Sequence, residues 1–278
     1  MYNCRDKKLD LSGKPLIMGI LNVTPDSFSD GGNYTDVSKA LSHAFEMVKQ
    51  GADIIDIGGE STRPGYTQIS SEEEIERIVP VIKAIKENID VALSVDTYKA
   101  DVAKAALEAG CDIVNDVTGL YADPDMAKVI AEYKAGAILM FNMRNNGEDE
   151  NADVISRAET ELQISVEKAL EAGIESDRIM LDPGIGFGTT REQDMILTDK
   201  VDKISLNGRY PVLYACSRKR MTAEFVFDGA GKEDRDTATA VLGLEAIKRG
   251  AAMVRVHNVA AMKSAIDVYY SFLERSNG

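Results

Sequence analysis

The stretch Leu16-Ile-Met-Gly-Ile-Leu21, followed directly by Asn22-Val-Thr-Pro-Asp-Ser-Phe-Ser-Asp-Gly-Gly32, sets a pattern that recurs along the chain. A short apolar run closed by Pro and Gly is typical of a buried strand that ends in a loop. This loop also contains Asn, Thr, Asp and Phe, which its turns do not require. Polar and aromatic side chains concentrated at a strand end are typical of a binding or catalytic site.

The same pattern recurs at Ile54-Ile-Asp-Ile57, which runs into Gly58-Gly-Glu-Ser-Thr-Arg-Pro-Gly65. Along the chain, apolar runs alternate with segments of helical periodicity, and this alternation predicts an α/β fold with a parallel sheet. The predicted strands are residues 16–21, 53–57, 91–95, 112–115, 136–141, 178–181, 211–216 and 251–256.

Eight units of this kind favour a closed (β/α)8 TIM barrel, built as a single domain over residues 1–278. The alternative is an open doubly wound sheet. Its dinucleotide-binding version is disfavoured because no Gly-x-Gly-x-x-Gly opens the first helix.

The predicted helices are placed by apolar stripes and by residues that favour helix ends. Thr35 or Asp36 is expected to cap the first helix, and Ser71 with Glu74 is expected to form a capping box for the second. Gly110 is expected to end the third helix, and Asp123-Pro124 to open the fourth. The remaining helices are predicted within residues 152–173, 190–207, 236–249 and 258–274.

The bulk composition argues against several classes of protein. A formal charge of −14 would repel a phosphate backbone, so no nucleic-acid partner is expected. No apolar stretch reaches the roughly 18 residues that span a bilayer, so no membrane partner is expected. The N-terminus lacks the apolar stretch of a signal peptide, and the three Cys residues show no zinc-type pairing. A reduced, cytoplasmic location is the expectation.

Cations follow several predicted strands, where a small anionic substrate would find a local positive patch. Arg255 and His257 alternate after the last strand, so both side chains are expected to face the same way. A guanidinium suits a phosphate group, and an imidazole can donate to a second oxygen. Asn22 and Thr62 are candidates to complete an anion site or a Mg²⁺–phosphate site, although Asn22 is also consistent with a strand-end cap.

Asp96, Asn115 and Asp182 follow three other strands and form a second group of candidates. A carboxylate that accepts two hydrogen bonds matches a planar heterocycle with adjacent N–H and amino groups. The alternatives are a helix cap for Asp96 and a turn for Asp182. Lys219, between two Arg residues, is a candidate anion ligand or a solvated turn residue. Phe187, on a Gly-rich loop, is expected to stack on an aromatic ligand or to cap the barrel.

Together these segments resemble the dihydropteroate synthases, enzymes of folate biosynthesis that join a pterin to p-aminobenzoate. The matching segments follow the family order at residues 21–32, 53–65, 94–99, 115–119, 181–188, 217–219 and 255–257. The resemblance implies a transferase that condenses 6-hydroxymethyl-7,8-dihydropterin pyrophosphate with p-aminobenzoate to give 7,8-dihydropteroate and pyrophosphate. It also implies Mg²⁺-assisted pyrophosphate departure, capture of a pterin cation without a protein nucleophile, and a homodimer formed through the last helices.

By matching position, the resemblance implies a role for each candidate. The residues implied to bind the pterin are Asp96, Asn115, Asp182 and Lys219, with Met140 and Phe187 as apolar walls of the pocket. Pyrophosphate and Mg²⁺ binding falls to Thr62, Arg255, His257 and Asn22, the last being the implied metal ligand. p-Aminobenzoate binding falls to Phe28, Arg63, Pro64, Phe187 and Lys219. The implied catalytic residues are Asp30, Arg63, Lys219, Arg255 and His257. Of these, Asp30 would help to stabilise the cationic pterin methylene.

Three positions depart from the family pattern. Phe141 stands where a His is common after the Met of strand five, and Thr189 stands where a Lys often follows the Gly-Phe-Gly segment. Arg220 replaces the Ser that usually follows the Lys of strand seven. Because this last position touches the expected p-aminobenzoate carboxylate site, Arg220 is a candidate substrate-binding residue. It would strengthen carboxylate binding, change the response to sulfonamides, or point away and do neither.

Two other functions stay open from the sequence. A pterin-dependent methyltransferase of similar fold would bind a methylated reduced folate and release no pyrophosphate, and the intact loops at residues 21–32 and 58–65 argue against it. A catalytically silent pterin-binding homologue would bind ligand without turnover, and only the three departures support it.

Overall fold

The computed structural model describes residues 1–23, 33–60, 67–151, 153–227, 229 and 231–276, with residues 33–36 and 276 described by their backbone alone. The strands are β1 (Tyr2–Cys4), β2 (Lys7–Leu9), β3 (Leu16–Asn22), β4 (Ile54–Gly58), β5 (Ala92–Asp96), β6 (Ile113–Asp116), β7 (Gly136–Met140), β8 (Ile179–Asp182), β9 (Leu213–Tyr214) and β10 (Met253–Val256). The α-helices are α1 (Asn33–Lys49), α2 (Ser71–Asn88), α3 (Ala100–Ala109), α4 (Met126–Glu132), α5 (Val154–Glu171), α6 (Arg191–Asp199), α7 (Val201–Ile204), α8 (Asp236–Lys248) and α9 (Val259–Ser276).

Eight of these strands form one parallel sheet in the order β8-β7-β6-β5-β4-β3-β10-β9. A parallel bridge between Leu181 and Val212 joins β8 to the residue before β9, and the Leu181 N–H donates to the Pro211 carbonyl at 2.9 Å. This contact closes the sheet on itself. The predicted TIM barrel and its eight strands are therefore confirmed, and the open doubly wound sheet is wrong.

The barrel interior follows the period-two alternation of its strands. The layer nearest the amino ends takes one apolar side chain from each strand: Met18, Ile54, Ala92, Ile113, Ile138, Met180, Leu213 and Met253. Two residues further along, five of the strands place a polar residue at the interior position: Asp56, Ser94, Asn115, Asp182 and Arg255. The barrel is thus apolar at its amino end and polar at its carboxyl end.

The hairpin of β1 and β2, which the sequence analysis did not predict, covers the amino end of the barrel. Tyr2 and Cys4 are fully buried against the apolar layer. The Arg5 guanidinium ties the hairpin to the helix layer, because its Nη1 donates to the carbonyls of Leu107 and Cys111 at 2.9 and 3.0 Å. The hairpin therefore extends the apolar layer at the amino end of the barrel with the side chains of Tyr2 and Cys4.

The predicted ends of the first two helices are wrong. α1 begins at Asn33, so Thr35 and Asp36 lie inside it. α2 is capped by Ser70 and not by Ser71, since the Ser70 Oγ accepts the N–H of the third helical residue at 3.2 Å. The capping box with Glu74 is absent from α2, because that carboxylate is buried and contacts Lys99 instead.

The later helices follow the predictions more closely. Gly110, at φ 122°, ends α3 as predicted. α4 begins at Met126, after a turn in which an Asp123 Oδ1 accepts the Asp125 N–H. The helix predicted within residues 190–207 is two helices, α6 and α7, separated at Lys200. None of the helices in the described ranges is long and apolar enough to cross a membrane.

Gly136→Ala is expected to loosen the hairpin, because a Cβ at this position would lie 2.6 Å from the Tyr2 hydroxyl oxygen. Overpacking of this kind destabilises a folded protein by about 1–3 kcal/mol. The measurement is the free energy of unfolding from urea denaturation. The control is Gly13→Ala, where a Cβ would meet no atom within 4 Å. Equal effects of the two substitutions would contradict the role given to the hairpin.

Candidate active site

A cleft of about 1680 Å³ opens at the carboxyl ends of the barrel strands. Its lining includes Asn22 from the end of β3, Asp96 from β5, and Arg255 and His257 from β10 and the residue that follows it. Lys219, from the loop after β9, lies beside them. Residues far apart in the sequence meet here because parallel strands bring all their carboxyl ends to one face.

Arg255 lies at the floor of the cleft between two carboxylates. Its Nε donates to Asp56 Oδ2 and its Nη2 to Asp96 Oδ2, both at 2.6 Å. The Asn115 amide nitrogen also donates to Asp56 Oδ2, at 3.1 Å. The four side chains form one connected network at the carboxyl end of the barrel interior.

Asp56 is the member of this network that the sequence analysis missed. Its side chain is fully buried. The sequence did contain a signal for Asp56, because it is a single carboxylate inside the apolar run of β4. By the alternation of side chains along a strand, it lies on the same face as Ile54, which points into the barrel. A charged residue is almost never fully buried unless it is paired, so the run itself implied a cationic partner.

The network leaves acceptor atoms without partners. Within the described residues, the buried Oδ1 atoms of Asp56 and Asp96 have no hydrogen-bond partner. Burial raises the pKa of the Asp96 carboxyl, and the carboxylates of Asp56 and Glu74 raise it further, against the opposing effect of Arg255. A ligand that donates N–H groups to these oxygens would stabilise their charge.

Asp182, which is buried, and Lys219, which is half-buried, form a second pair of oppositely charged groups. Burial raises the pKa of the Asp182 carboxyl, and Lys219 opposes this rise. Burial lowers the pKa of the Lys219 ammonium, and Asp182 opposes this fall. Asp182 also has the alternative role considered for it, that of a turn residue. Its Oδ1 accepts the Gly184 N–H at 2.7 Å.

Phe187 and Lys219 meet at the wall of the cleft. The Lys219 Nζ lies 4.7 Å from the centre of the Phe187 ring and donates to the Ile185 carbonyl at 2.8 Å. Met140 is buried at the end of β7, paired in register with Asp182. An ammonium, an aromatic ring and a carboxylate therefore lie on neighbouring elements.

His257 is held by a residue to which the sequence analysis gave no role. Its backbone N–H donates to the Ser217 Oγ at 3.1 Å, and its Nδ1 lies 2.9 Å from the same oxygen. The contact fixes the orientation of the imidazole relative to the loop after β9. Ser217 follows a strand end and precedes Lys219, and this position was its only sequence signal.

The departures at Phe141 and Thr189 do not add a free side chain to the cleft. Phe141 is buried in the core between the strands and the helices. Thr189 is buried, and its Oγ1 donates to Asp194 Oδ1 at 2.6 Å. The Gly186 N–H donates to the same oxygen at 2.8 Å, so Asp194 holds the Gly-rich loop.

Arg220 is exposed and lines the cleft. Its Nη2 donates to the Thr189 carbonyl at 2.8 Å, which links the loop after β9 to the loop after β8. A guanidinium has five N–H donors, so this one bond leaves others for a ligand. The structure therefore disfavours the reading in which Arg220 points away.

Five sequence candidates lie outside the described residues: Phe28, Asp30, Thr62, Arg63 and Pro64. The chain on either side of residues 61–66 is tied together by a largely buried network centred on Lys99. Lys99 Nζ donates to Glu60 Oε2 at 2.7 Å, to Glu74 Oε2 at 2.8 Å and to the Ile69 carbonyl at 2.8 Å. The Ile69 N–H also donates to Glu60 Oε2, at 3.0 Å.

No group of three His, Cys, Asp or Glu side chains within the described ranges is arranged to hold a metal ion. Asn22 does offer an amide oxygen at the cleft. Mg²⁺ prefers oxygen ligands, keeps several waters and is commonly held by few protein groups together with substrate phosphates. A site of this sparse kind fits Mg²⁺ bound together with a phosphate and would not fit a metal held by protein ligands alone.

Comparison with known proteins gives matches over nearly the whole chain. The family model described as pterin binding enzyme matches residues 18–257. The dihydropteroate synthase of Streptococcus pyogenes serotype M6 is 48% identical over 262 residues, which cover 94% of this chain and 97% of that protein. All the candidate residues of the cleft fall within the matched range.

Two solved structures show the same barrel. The dihydropteroate synthase of Clostridium difficile, in the presence of pteroic acid, matches with a TM-score of 0.90 and 40% identity over 95% of this chain and 99% of that one. The Xanthomonas albilineans dihydropteroate synthase with 4-aminobenzoic acid matches with a TM-score of 0.89 and 38% identity over 95% of both chains.

Asp56→Asn is expected to destabilise the fold strongly, because it replaces the fully buried one of the two carboxylates that contact the largely buried Arg255. Breaking a buried ion pair by changing one partner costs roughly 3–5 kcal/mol. The free energy of unfolding measures this loss. Asp90→Asn is the matched control, since Asp90 pairs with Lys7 on the surface. A result in which both variants keep the stability of the wild type would show that the Asp56–Arg255 contact does not matter.

Proposed function

The chain belongs to the dihydropteroate synthases, the pterin-binding enzymes of folate biosynthesis, and we propose that its cleft positions a pterin pyrophosphate for attack by p-aminobenzoate. The enzyme is a transferase that forms 7,8-dihydropteroate. One observation carries the proposed arrangement: buried carboxylates with free acceptor atoms lie at the floor of a cleft whose wall carries cations.

The pterin ring binds at the floor, in the proposal. Its amino and ring N–H groups donate to Asp96 and Asp182, and Asn115 completes the polar edge. The unpartnered Oδ1 of Asp96 supports this assignment, because a buried acceptor without a donor is costly. Met140 and Phe187 lie on the neighbouring elements as apolar surfaces for the ring faces.

The pyrophosphate binds beside His257 and Arg255, in the proposal. The imidazole is oriented through Ser217, and the guanidinium keeps donors beyond the two that bind Asp56 and Asp96. Asn22 would hold Mg²⁺ together with the phosphate oxygens. When bound, Mg²⁺ would supply positive charge that offsets the charge of the leaving group. Thr62 is assigned to the same group by the sequence resemblance alone.

The reaction itself needs no protein nucleophile. The bond from the pterin methylene carbon to the pyrophosphate oxygen breaks, and its electron pair leaves with the pyrophosphate. The amine of p-aminobenzoate then forms a C–N bond to that carbon and loses a proton. The protein contributes by holding the two reactants in line and by placing His257 and Arg255 near the departing charge.

p-Aminobenzoate binds at the outer part of the cleft, in the proposal. Arg220 and Lys219 would meet its carboxylate, and Phe187 would contact its ring. The sequence resemblance adds Phe28, Arg63 and Pro64 to this site and gives Asp30 the task of stabilising the cationic methylene.

We also propose a homodimer formed through the last two helices. α8 and α9 expose the large apolar side chains of Val241, Val268 and Phe272, and the family resemblance points to the same surface. Sedimentation at the mass of a single chain would contradict this assembly. The cytoplasmic location stays a prediction from the sequence.

The reaction is tested by pyrophosphate release from 6-hydroxymethyl-7,8-dihydropterin pyrophosphate. Release that rises on addition of p-aminobenzoate, with formation of dihydropteroate, is expected with Mg²⁺ present. Chelation of Mg²⁺ is expected to abolish product formation, and its return to restore it. Binding of the pterin pyrophosphate without product, in a folded and Mg²⁺-loaded sample, would favour the silent homologue.

Arg220→Ser is expected to raise the KM for p-aminobenzoate roughly three- to tenfold, since it removes a cation that would hydrogen-bond to the carboxylate. The KM for the pterin pyrophosphate should change little, because Arg220 is absent from the floor of the cleft. Arg191→Ser serves as the control, as Arg191 lines the same cleft but is paired with Glu224. Equal changes in KM for the two variants, or an unchanged KM for Arg220→Ser, would show that Arg220 does not bind the carboxylate.

A further inference from the structure

Arg218 has a backbone conformation that its residue type disfavours. Its φ is 57°, in the left-handed region, where a side chain with a Cβ meets the backbone carbonyl. Such a conformation persists only when surrounding contacts hold it in place, and it is commonly found at functional sites. Arg218 lies directly between Ser217, which contacts His257, and Lys219.

Residues at and just before the start of α8 bind the guanidinium and both backbone polar groups of Arg218. The Arg218 guanidinium binds Asp236 through two parallel hydrogen bonds, Nε to Oδ1 at 2.7 Å and Nη2 to Oδ2 at 2.8 Å. Its backbone N–H donates to Thr239 Oγ1 at 3.3 Å, and its carbonyl accepts from Arg235 Nη1 at 3.2 Å. The left-handed residue is therefore held by Asp236 and Thr239 of α8 and by Arg235, which directly precedes that helix.

Asp236 also contacts the neighbouring strand end. The Asn258 Nδ2 donates to Asp236 Oδ2 at 3.0 Å, and Asn258 directly follows His257. The Asn258 Oδ1 accepts the Ala261 N–H at 3.0 Å, so Asn258 also supports the start of α9. One carboxylate thus joins the loop that carries Lys219 to the segment that carries His257.

We propose that Arg218 and Asp236 are a positioning pair, which holds Lys219 and His257 in the relative arrangement that binding of the pterin pyrophosphate requires. The inference rests on the proposed function, because it takes these two residues as the groups that bind the pterin and its pyrophosphate. Neither Arg218 nor Asp236 has to touch the reacting atoms.

The chemistry of the pair suits this task. Both side chains are largely buried, with 22% exposure for Arg218 and 10% for Asp236. Burial alone would raise the pKa of the Asp236 carboxyl, but the hydrogen bonds from Arg218 and Asn258 lower it below its ordinary value. The carboxyl is therefore charged at neutral pH, and the two parallel bonds fix the plane of the guanidinium. A bidentate contact fixes direction as well as distance, which a single hydrogen bond does not.

The principal test is Asp236→Asn in the full-length enzyme. The substitution keeps the size of the side chain but removes its charge and one of its two acceptor oxygens. The KM for the pterin pyrophosphate is expected to rise and kcat to fall, with kcat/KM lower by about 10- to 100-fold, the effect of displacing a binding group by about 1 Å. Binding of the pterin pyrophosphate, measured by calorimetry, should weaken in parallel.

Asp199→Asn is the matched control. Asp199 also pairs with an arginine of another element, Arg249, with 3.0 Å between Asp199 Oδ1 and Arg249 Nη2, but this pair lies outside the cleft. The kinetic constants of this variant are expected to equal those of the wild type. If Asp236→Asn and Asp199→Asn both kept wild-type kinetics, the positioning role would be excluded.

Two further variants separate positioning from simple loss of stability. Arg218→Ala removes the pair from the other side, and its combination with Asp236→Asn should be no worse than the poorer single variant, since both break the same contact. Additive losses in kcat/KM would overturn the proposal of a pair.

Arg218→Lys keeps the charge but cannot form the bidentate contact. If Asp236→Asn fails to fold, Arg218→Lys takes its place as the variant without the bidentate contact, and its kinetics are compared with those of the wild type. Wild-type kinetics in a folded Arg218→Lys would then contradict the proposal.

The wild-type assay distinguishes this inference from the proposed function. If the wild type forms no dihydropteroate, the proposed function fails, whatever the variants do. If the wild type is active and a folded Asp236→Asn keeps its affinity for the pterin pyrophosphate, only the positioning pair fails.

Discussion

Arg255 carries its charge inside a barrel, where an unpaired ion would cost several kcal/mol to bury. Asp56 and Asp96 make this location possible, because both contact the guanidinium at 2.6 Å. Their two formal negative charges exceed its single positive charge, and their Oδ1 atoms have no donors among the described residues. The floor of the cleft is therefore complementary to a ring rich in N–H donors. The apolar layer beneath it keeps the electrostatic interactions strong by excluding water.

A closed barrel fixes where its strands end, but it does not fix the loops that follow. In this enzyme, side chains from the loops and from the starts of the helices hold the segments that follow the strands. Ser217 contacts His257, Asp194 holds the Gly-rich loop, and Asp236 joins two strand ends. Ser217, Asp194 and Asp236 are all buried. The side chains that line this part of the cleft are thus supported by contacts among the segments that follow β8, β9 and β10, in addition to the sheet below.

Much of the fold and part of the site could be predicted from the sequence. The strands were predictable because buried parallel strands are short apolar runs with clear ends, and Asp96, Arg255 and His257 were found because strand ends converge on one face. The hairpin at Tyr2 was missed, since its two strands are three residues each and show no periodicity. Asp56 was missed because it lies inside an apolar run. Ser217 and Asp236 act through tertiary contacts, which have no local sequence pattern.

The hairpin at the amino end has a consequence for the order in which the molecule can be completed. Tyr2 and Cys4 are synthesised long before Met253 of β10, yet all three belong to the same buried apolar layer. β3 likewise obtains one of its two neighbours only when β10 is present. Contacts between such distant parts of a chain are slow to form, because the intervening segment must first be ordered. Closure of the barrel therefore waits until β10 has been synthesised.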